Sequence, residues 1–275
     1  MRIDSHQHFW NYSPETHAWI NDEMHLIQRN FLPTDLAPAL QQHKIDGTIL
    51  VQVDQNEEEN LFFLELAQQN PFIKGTVGWV DLRAENVEER LDFYKQYPIL
   101  KGFRHIVQGE SDPYFFQNPD FRRGIAALGK RGYTYDILIY PHQLPAAIEL
   151  VKAFPDQIFV LDHLAKPYIK AGQIDQWASF IQHLGEMPNV HCKVSGLVTE
   201  ANWQNWEFRH FRPFLDQLTE AFGTERLLYG SDWPVCLVAG SYSNVIGICE
   251  AYFGSFSADE QADVMGRNAE RVYGL

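Results

Sequence analysis

Cysteine is scarce in this chain, and its three residues, Cys192, Cys236 and Cys249, lie far apart. They include no short-spaced pair of the kind that holds zinc, and they are too few for a disulfide framework. Long hydrophobic runs are also missing, since nowhere do about 18 apolar residues follow one another, the length that spans a membrane. Residues 1–6 contain no apolar run typical of a signal peptide. These absences predict buried, reduced thiols and a cytoplasmic protein.

Positive charge is in the minority. The 275 residues include 22 Lys and Arg against 36 Asp and Glu, which gives a formal net charge of −14. Such a chain repels the phosphates of nucleic acids and anionic lipid headgroups, so we expect neither as a partner. Hydrophobic residues make up 45% of the chain, an ordinary globular composition that excludes a disordered protein.

Eight short apolar runs recur along the chain, each followed by a polar, helix-like stretch. The predicted strands are residues 2–9, 47–54, 73–81, 99–107, 133–140, 157–163, 189–196 and 226–232. Their nearly continuous apolar interiors are typical of parallel strands buried on both faces. An open doubly wound sheet would carry a glycine-rich phosphate turn after its first strand, and none is present. The sequence therefore predicts an α/β fold with one domain, a single (β/α)₈ TIM barrel over residues 1–275, with a long first loop over residues 10–33.

Polar side chains stand at the carboxyl ends of the predicted strands, where the site of a barrel lies. The first strand carries Asp4, His6 and His8, whose spacing of two predicts that all three face the same side. The sixth strand ends in His163 and the eighth in Asp232. Together His6, His8, His163 and Asp232 would bind one divalent metal ion, zinc in the first instance, with room for a water molecule.

Further candidates occupy the remaining strand ends. Arg104 and His105 are predicted to stabilise a developing oxyanion. Tryptophan faces suit the C–H faces of a sugar-like ring. The predicted substrate-binding residues are Gln52, Trp79, Lys193, Trp203 and Trp233.

Two versions of the chemistry remain open from these residues. With a metal ion, the ion polarises a carbonyl and lowers the pKa of a water, while Asp232 takes the proton. Without one, Asp232 acts as a general base and the histidines or Arg104 stabilise the oxyanion. Both versions hydrolyse an activated carbonyl. Only one arginine stands at a predicted strand end, so a polyhydroxylated substrate of low charge is favoured over a dicarboxylate.

Several segments, taken in order, carry a family resemblance. They are residues 4–10 (DSHQHFW), 51–52 (VQ), 101–105 (KGFRH), 161–167 (LDHLAKP), 192–201 (CKVSGLVTEA), 230–236 (GSDWPVC) and 268–275 (NAERVYGL). Over its full length the chain resembles the sugar-lactonase branch of the amidohydrolase superfamily, which includes L-fucono- and L-rhamnono-lactone hydrolases. The resemblance implies a distorted barrel that opens lactone rings, with Asp232 activating water and with His6, His8 and His163 as the matching histidines. The fourth strand lacks a bridging Lys or Glu, and the fifth strand lacks the usual histidine. Both departures argue against a two-metal centre.

Three other functions compete with this interpretation. A hydrolase of 2-pyrone-4,6-dicarboxylate type would need two or three arginines converging on the pocket. A non-oxidative decarboxylase on the same barrel would release carbon dioxide. A barrel used only for binding would not need the His6, His8, His163 and Asp232 set. We therefore expect a hydrolase acting on a small-molecule sugar lactone, and the sequence makes no prediction of oligomeric state.

Overall fold

Eight short parallel strands, each paired with the next one along the chain, form one sheet in a computed structural model that describes residues 1–275. The strands are β1 (Ile3–Gln7), β2 (Gly47–Val51), β3 (Ile73–Gly78), β4 (Leu100–His105), β5 (Thr134–Ile137), β6 (Phe159–Leu161), β7 (Val190–Val194) and β8 (Leu227–Tyr229). Backbone contacts just beyond the strands bring the two edges together. The His8 N–H donates to the Trp233 carbonyl at 2.7 Å, and the Asp232 N–H donates to the His6 carbonyl at 2.8 Å. The prediction of a (β/α)₈ barrel is confirmed.

Ten helices accompany the strands. They are α1 (Pro33–Gln42), α2 (Glu57–Gln69), α3 (Val87–Tyr94), α4 (Pro119–Gly129), α5 (Leu144–Ala153), α6 (Asp175–Gly185), α7 (Phe208–Phe222), α8 (Tyr242–Phe253), α9 (Ala258–Ala262) and α10 (Asn268–Tyr273). Local signals fix several starts: α2 begins after Asn56, whose side chain accepts the Glu59 N–H at 2.9 Å. None of the ten helices has the length and apolar composition that a membrane span requires.

The interior of the barrel is apolar at one end only. A small buried cluster there consists of Ile3, Ile49, Val51, Val77, Val160 and Leu228, with Ala269, Val272 and Tyr273 of α10 packed beneath. The larger hydrophobic core fills the space between the sheet and the surrounding helices. Because α10 closes the amino end of the barrel, the carboxyl end is left for polar side chains.

The long first loop folds back over the carboxyl ends of the strands. Trp10 and Phe31 exchange two backbone hydrogen bonds of 3.0 Å each, which ties the start of the loop to its end. The Phe31 ring packs edge-on against Trp233 at 5.2 Å between centroids. A short helical turn, Asp22–Ile27, lies between Trp10 and Phe31 in sequence and supplies residues to the cavity wall.

Candidate active site

The two histidines of β1 face the inside of the barrel, but the aspartate before them does not. The strand has a register irregularity after Asp4. The Asp4 carboxylate turns away and accepts hydrogen bonds from the Ser231 N–H at 2.8 Å and the Tyr242 hydroxyl at 3.1 Å. The prediction that Asp4 shares a face with His6 and His8 is wrong, because a bulge interrupts the alternation of side chains.

Four predicted side chains meet at the carboxyl end of the barrel. The His6 Nε2 and His8 Nε2 atoms lie 3.2 Å apart. The Oδ1 atom of Asp232 lies 3.4 Å from His8 Nε2 and 3.9 Å from the Nε2 atoms of both His6 and His163. We call His6, His8, His163 and Asp232 the His–Asp cluster. All four side chains are buried.

Unusual backbone conformations aim two members of the cluster inward. Asp232 has φ of 56°, and the four residues from His163 to Lys166 all have φ between 51° and 56°. Left-handed backbone at residues other than glycine costs about 1–3 kcal/mol each and concentrates at functional sites. Gly196 lies close by, where an added Cβ would come within 2.8 Å of the His163 side chain. This turn after β6 therefore requires both the strain and the glycine.

The Nδ1 atom of each imidazole, on the side of the ring away from the cluster, contacts a partner that orients the ring. The His8 Nδ1–H donates to the Val51 carbonyl at 2.7 Å, which leaves the Nε2 lone pair toward the cluster. The His163 Nδ1 atom shares a 2.8 Å hydrogen bond with the Ser195 hydroxyl. The His6 Nδ1 atom lies 3.1 Å from Lys193 Nζ and 3.3 Å from the nearer Asp162 oxygen.

Burial and neighbouring groups shift the pKa values of the cluster residues. Burial lowers the pKa of His163 to about 4 and holds the pKa of His6 well below its usual range. Burial alone would raise the pKa of Asp232, but the nearby His163 and His8 outweigh it and the pKa lies below its ordinary value. His6 and His163 are therefore neutral at neutral pH, beside an ionised Asp232 carboxylate.

Arg104 lies in the cavity floor, but its guanidinium is largely committed to the protein. Its Nη1 atom donates to Asp162 at 2.8 Å and lies 3.3 Å from His6 Nε2. Its Nε and Nη2 atoms donate to the Gln52 side chain at 3.2 and 2.9 Å, and Nη2 also contacts the Gln52 carbonyl. Gln52 was predicted to bind substrate, yet the structure places it behind Arg104, where it orients the guanidinium.

Lys193, another predicted substrate-binding residue, is completely buried beneath the cluster. Its ammonium lies 2.5 Å from Asp136 and 3.0 Å from Asp162. The Tyr273 hydroxyl of α10 donates to Asp136 at 2.9 Å. Burial raises the pKa of Asp136 to about 6 despite this cation, whereas Lys193, His6 and Arg104 outweigh burial at Asp162 and hold its pKa well below the usual range. Lys193 thus neutralises buried carboxylates and does not line the cavity.

His105 points to the outer side of the sheet. Its ring stacks on Phe115 at 4.8 Å between centroids. Its Nδ1 atom accepts from the Trp79 indole N–H at 3.3 Å, and its Nε2 atom bonds Glu110 at 2.7 Å. Both ring nitrogens are therefore occupied, and the proposed oxyanion role of His105 has no geometric support. The reason is strand alternation, which turns Arg104 inward and the next residue outward.

The predicted tryptophan wall is mostly elsewhere. Trp79 contacts His105 and does not line the cavity, and Trp233 packs edge-on against Phe9 at 5.9 Å and against the first loop. Among the tryptophans singled out for substrate binding, only Trp203 lines the cavity, where exposed Trp19 joins it. Residues that bind a flat ring must reach the cavity surface, and position near a strand end does not ensure this.

The cavity above the cluster has a volume of about 800 Å³. Its charged and hydrogen-bonding lining, apart from the cluster, Arg104 and the tryptophans, comes from Thr16, Asn21, Glu23, Asp54, Gln55, Gln108, Glu110, Tyr140, Lys166, Thr199 and Glu200. None of these was predicted to be functional. Three of them, Lys166, Thr199 and Glu200, do fall within segments that carry the family resemblance, which was the available signal.

The donor set fits one divalent metal ion. His6, His8 and Asp232 offer three ligand atoms close together and buried. Two ligands of one tetrahedral zinc, with bonds of about 2.0–2.1 Å, lie about 3.3 Å apart, close to the 3.2 Å between the two Nε2 atoms. The Val51 carbonyl at His8 and the Asp162 carboxylate at His6 are the partners that orient metal-binding imidazoles. The same nitrogens can equally bind a water by hydrogen bonds.

Comparison with known proteins gives consistent full-length matches. The amidohydrolase family model matches residues 3–275. An L-fucono-1,5-lactonase of Burkholderia multivorans is 39% identical over 100% of this chain and 96% of its own length. A second L-fucono-1,5-lactonase, from Burkholderia ambifaria, is 33% identical over 99% of this chain and 95% of its own length. A crystal structure of a Burkholderia multivorans amidohydrolase with bound zinc superimposes with a TM-score of 0.96, at 39% identity over 100% of this chain and 99% of that one.

Proposed function

This chain belongs to the amidohydrolase family, and on that premise we propose that it is a lactonase that hydrolyses a sugar-derived aldonolactone, such as L-fucono- or L-rhamnono-lactone, to the free acid. The full-length similarity to two L-fucono-1,5-lactonases supports this substrate class. The proposed binding partner is a small, uncharged lactone. We also propose that the enzyme acts in the cytoplasm, as the sequence leads us to expect.

The observation that carries the proposal is the His–Asp cluster at the floor of an open cavity. One carboxylate oxygen within 3.4–3.9 Å of three imidazole nitrogens can hold a water molecule and remove its proton. A cavity of about 800 Å³ admits a six-membered sugar lactone with its hydroxyl groups.

In the proposed reaction Asp232 moves one proton twice. It takes a proton from the water as the water oxygen bonds to the lactone carbonyl carbon. When the bond between that carbon and the ring oxygen breaks, Asp232 returns the proton to the departing ring oxygen. The His163 Nε2 atom faces the same space and, when it carries the proton of the ring, is positioned to donate to the carbonyl oxygen. Arg104, whose donors are committed to Asp162 and Gln52, favours negative charge there through its positive charge alone. The product is the open-chain hydroxy acid.

A metal ion held by His6, His8 and Asp232 would polarise the carbonyl and lower the pKa of the attacking water. The orientation of the two histidines does not depend on a metal ion. His6 and His8 are fixed by partners behind them, so the position of the water is set before substrate binds.

The dicarboxylate alternative has little support in this cavity. Five acidic side chains line it, those of Glu23, Asp54, Glu110, Glu200 and Asp232, against two basic ones, those of Arg104 and Lys166. Arg209 and Arg212 are largely exposed on α7 and bind Glu207 and Asp216. A substrate with two extra carboxylates would be repelled by this lining.

A lactone panel tests the function. We expect L-fucono-1,5-lactone and related aldonolactones to be hydrolysed faster than in buffer alone, as measured by acid release with a pH indicator. If a metal ion contributes, a chelator will lower the rate and added zinc will restore it. No acceleration of any aldonolactone would overturn the proposal. Full activity after chelation, with no metal detected in the protein, would retain the lactonase and remove the metal.

Ser195→Ala provides a test of how His163 is oriented. The serine hydroxyl is the partner of the His163 Nδ1 atom, and losing such a supporting partner typically costs 10- to 100-fold in activity or metal affinity. We expect kcat for L-fucono-1,5-lactone to fall by about that factor with an unchanged melting temperature. Ser179→Ala, on α6 away from the cavity, is the control. A kcat within twofold of the parent enzyme would contradict this role.

A further inference from the structure

Most charged side chains around the cavity already have partners in the protein. Asp54 accepts hydrogen bonds from the Gln55 N–H and the Asn56 side chain, Glu110 bonds His105, and Arg104 is held by Asp162 and Gln52. Such groups have little hydrogen-bonding capacity left for a ligand. The exceptions indicate where a ligand is recognised.

Lys166 and Glu200 are the clearest exceptions. Neither side chain makes a hydrogen bond to the protein, and their only ion pair is with each other, at 3.9 Å between Nζ and Oε1. Their side chains are 19% and 22% exposed, and both face the cavity. The Lys166 ammonium, with three donors, and the Glu200 carboxylate, with two acceptor oxygens, are thus free to bond a ligand. Charged groups this far withdrawn from solvent need further polar partners.

The pair lies beside the reaction centre. Lys166 ends the left-handed turn that begins at His163, so its position is fixed by the backbone that aims the histidine. Its Nζ atom lies 5.5 Å from the centre of the Tyr140 ring. The charge of Lys166 acts on Asp232, whose pKa it helps to lower.

An aromatic face completes this side of the cavity. Trp203 lines the cavity together with Glu200. Its indole N–H donates to the Thr199 carbonyl at 2.9 Å, which fixes the ring without using its face. A fixed aromatic face beside a carboxylate and an ammonium is the combination that binds a sugar ring, with C–H groups on the face and hydroxyls on the charges.

We propose that Lys166 and Glu200 recognise neighbouring hydroxyl groups of the lactone, with Trp203 against the ring, and so set the specificity of the enzyme for polyhydroxylated lactones. The Glu200 carboxylate accepts from one hydroxyl and the Lys166 ammonium donates to the adjacent one. This inference rests on the proposed function and names the side of the cavity that reads the sugar. A site built to bond hydroxyls discriminates strongly against an analogue that lacks them, because its polar groups are then left unpaired.

The experiment crosses two substrates with two variants. L-fucono-1,5-lactone carries the hydroxyls, and δ-valerolactone has the same six-membered lactone ring without them. A hydrogen bond to a charged group is worth about 1.5–3 kcal/mol, or roughly 10- to 150-fold. We expect Glu200→Gln and Lys166→Met each to lower the ratio of kcat/KM for the sugar lactone to kcat/KM for δ-valerolactone by about that factor. The value for δ-valerolactone carries any effect of the lost Lys166 charge on Asp232. Glu186→Gln, exposed at the end of α6, is the matched control.

Equal losses for both lactones would overturn the proposal, because they would show a general structural role. No loss for either would overturn it as well. A neutral aldonolactam of the same sugar, which is not hydrolysed, separates this proposal from the proposed function. Calorimetry should show the lactam binding about 10- to 150-fold more weakly to either variant than to the parent protein. Undiminished lactam binding by both variants would refute the subsite, whatever the turnover.

Discussion

Asp232→Asn is expected to lower kcat for L-fucono-1,5-lactone by about 10²- to 10⁴-fold, the usual contribution of a positioned general base. The amide has the shape of the carboxylate but cannot take a proton from water. The substitution adds no backbone strain, because Asn tolerates the left-handed conformation that Asp232 adopts with φ of 56°. Steady-state kinetics with a pH indicator measures the loss, and a thermal melt followed by circular dichroism should show an intact fold.

Asp156→Asn is the matched control for this experiment. Asp156 is exposed on the connection between α5 and β6, at the opposite end of the barrel from the cluster. The same chemical change there should leave kcat unaltered. A kcat for Asp232→Asn within tenfold of the parent enzyme, at an unchanged melting temperature, would falsify the assignment of Asp232 as the base.

Lys193→Met is expected to lower the free energy of unfolding by about 3–5 kcal/mol, the typical cost of removing one partner from a buried ion pair. Methionine has similar length and fills the same space. Asp136 then keeps only the Tyr273 hydroxyl, and Asp162 keeps Arg104 and His6, while both carboxylates stay fully buried. Urea denaturation at pH 7 measures the loss.

A second variant separates charge from packing. Adding Asp136→Asn to Lys193→Met removes an uncompensated carboxylate, so the double variant should be more stable than the single one. The pH dependence gives the same test. Burial raises the pKa of Asp136 above its unfolded value of 3.8. The stability that its neutral form contributes is fully present below pH 3.8 and is lost as the pH rises through the raised pKa of the folded state. The deficit of Lys193→Met should therefore be larger at pH 8 than at pH 5. A deficit below about 1 kcal/mol at both values would contradict the role of Lys193.

Much of the barrel was predictable because its signals are local. Each strand candidate is a short apolar run with a polar residue near its carboxyl end, and eight such runs in series permit few folds. The cluster residues were found for the same reason, since His163 and Asp232 stand at strand ends of a fold whose sites lie there. Their convergence followed from topology without any knowledge of side-chain positions.

Adjacent residues were harder to separate. Arg104 and His105 both end β4, yet one enters the cavity floor and the other stacks on Phe115 behind the sheet. Asp4 has the right spacing from His6, but a bulge turns it toward α8. Alternation along a strand is a local property, whereas its phase depends on hydrogen bonding to the neighbouring strands.

Sequence alone determined the eightfold repeat, the edge of the barrel that carries the chemistry and the identity of the four clustered side chains, because periodicity and strand ends are written in consecutive residues. The tertiary structure decided which polar residues reach the cavity. It buried Lys193 against Asp136, a residue 57 positions away, and it brought Lys166 and Glu200 together from two separate loops. Those outcomes depend on which elements pack against each other, and packing partners distant in sequence leave no mark on local pattern.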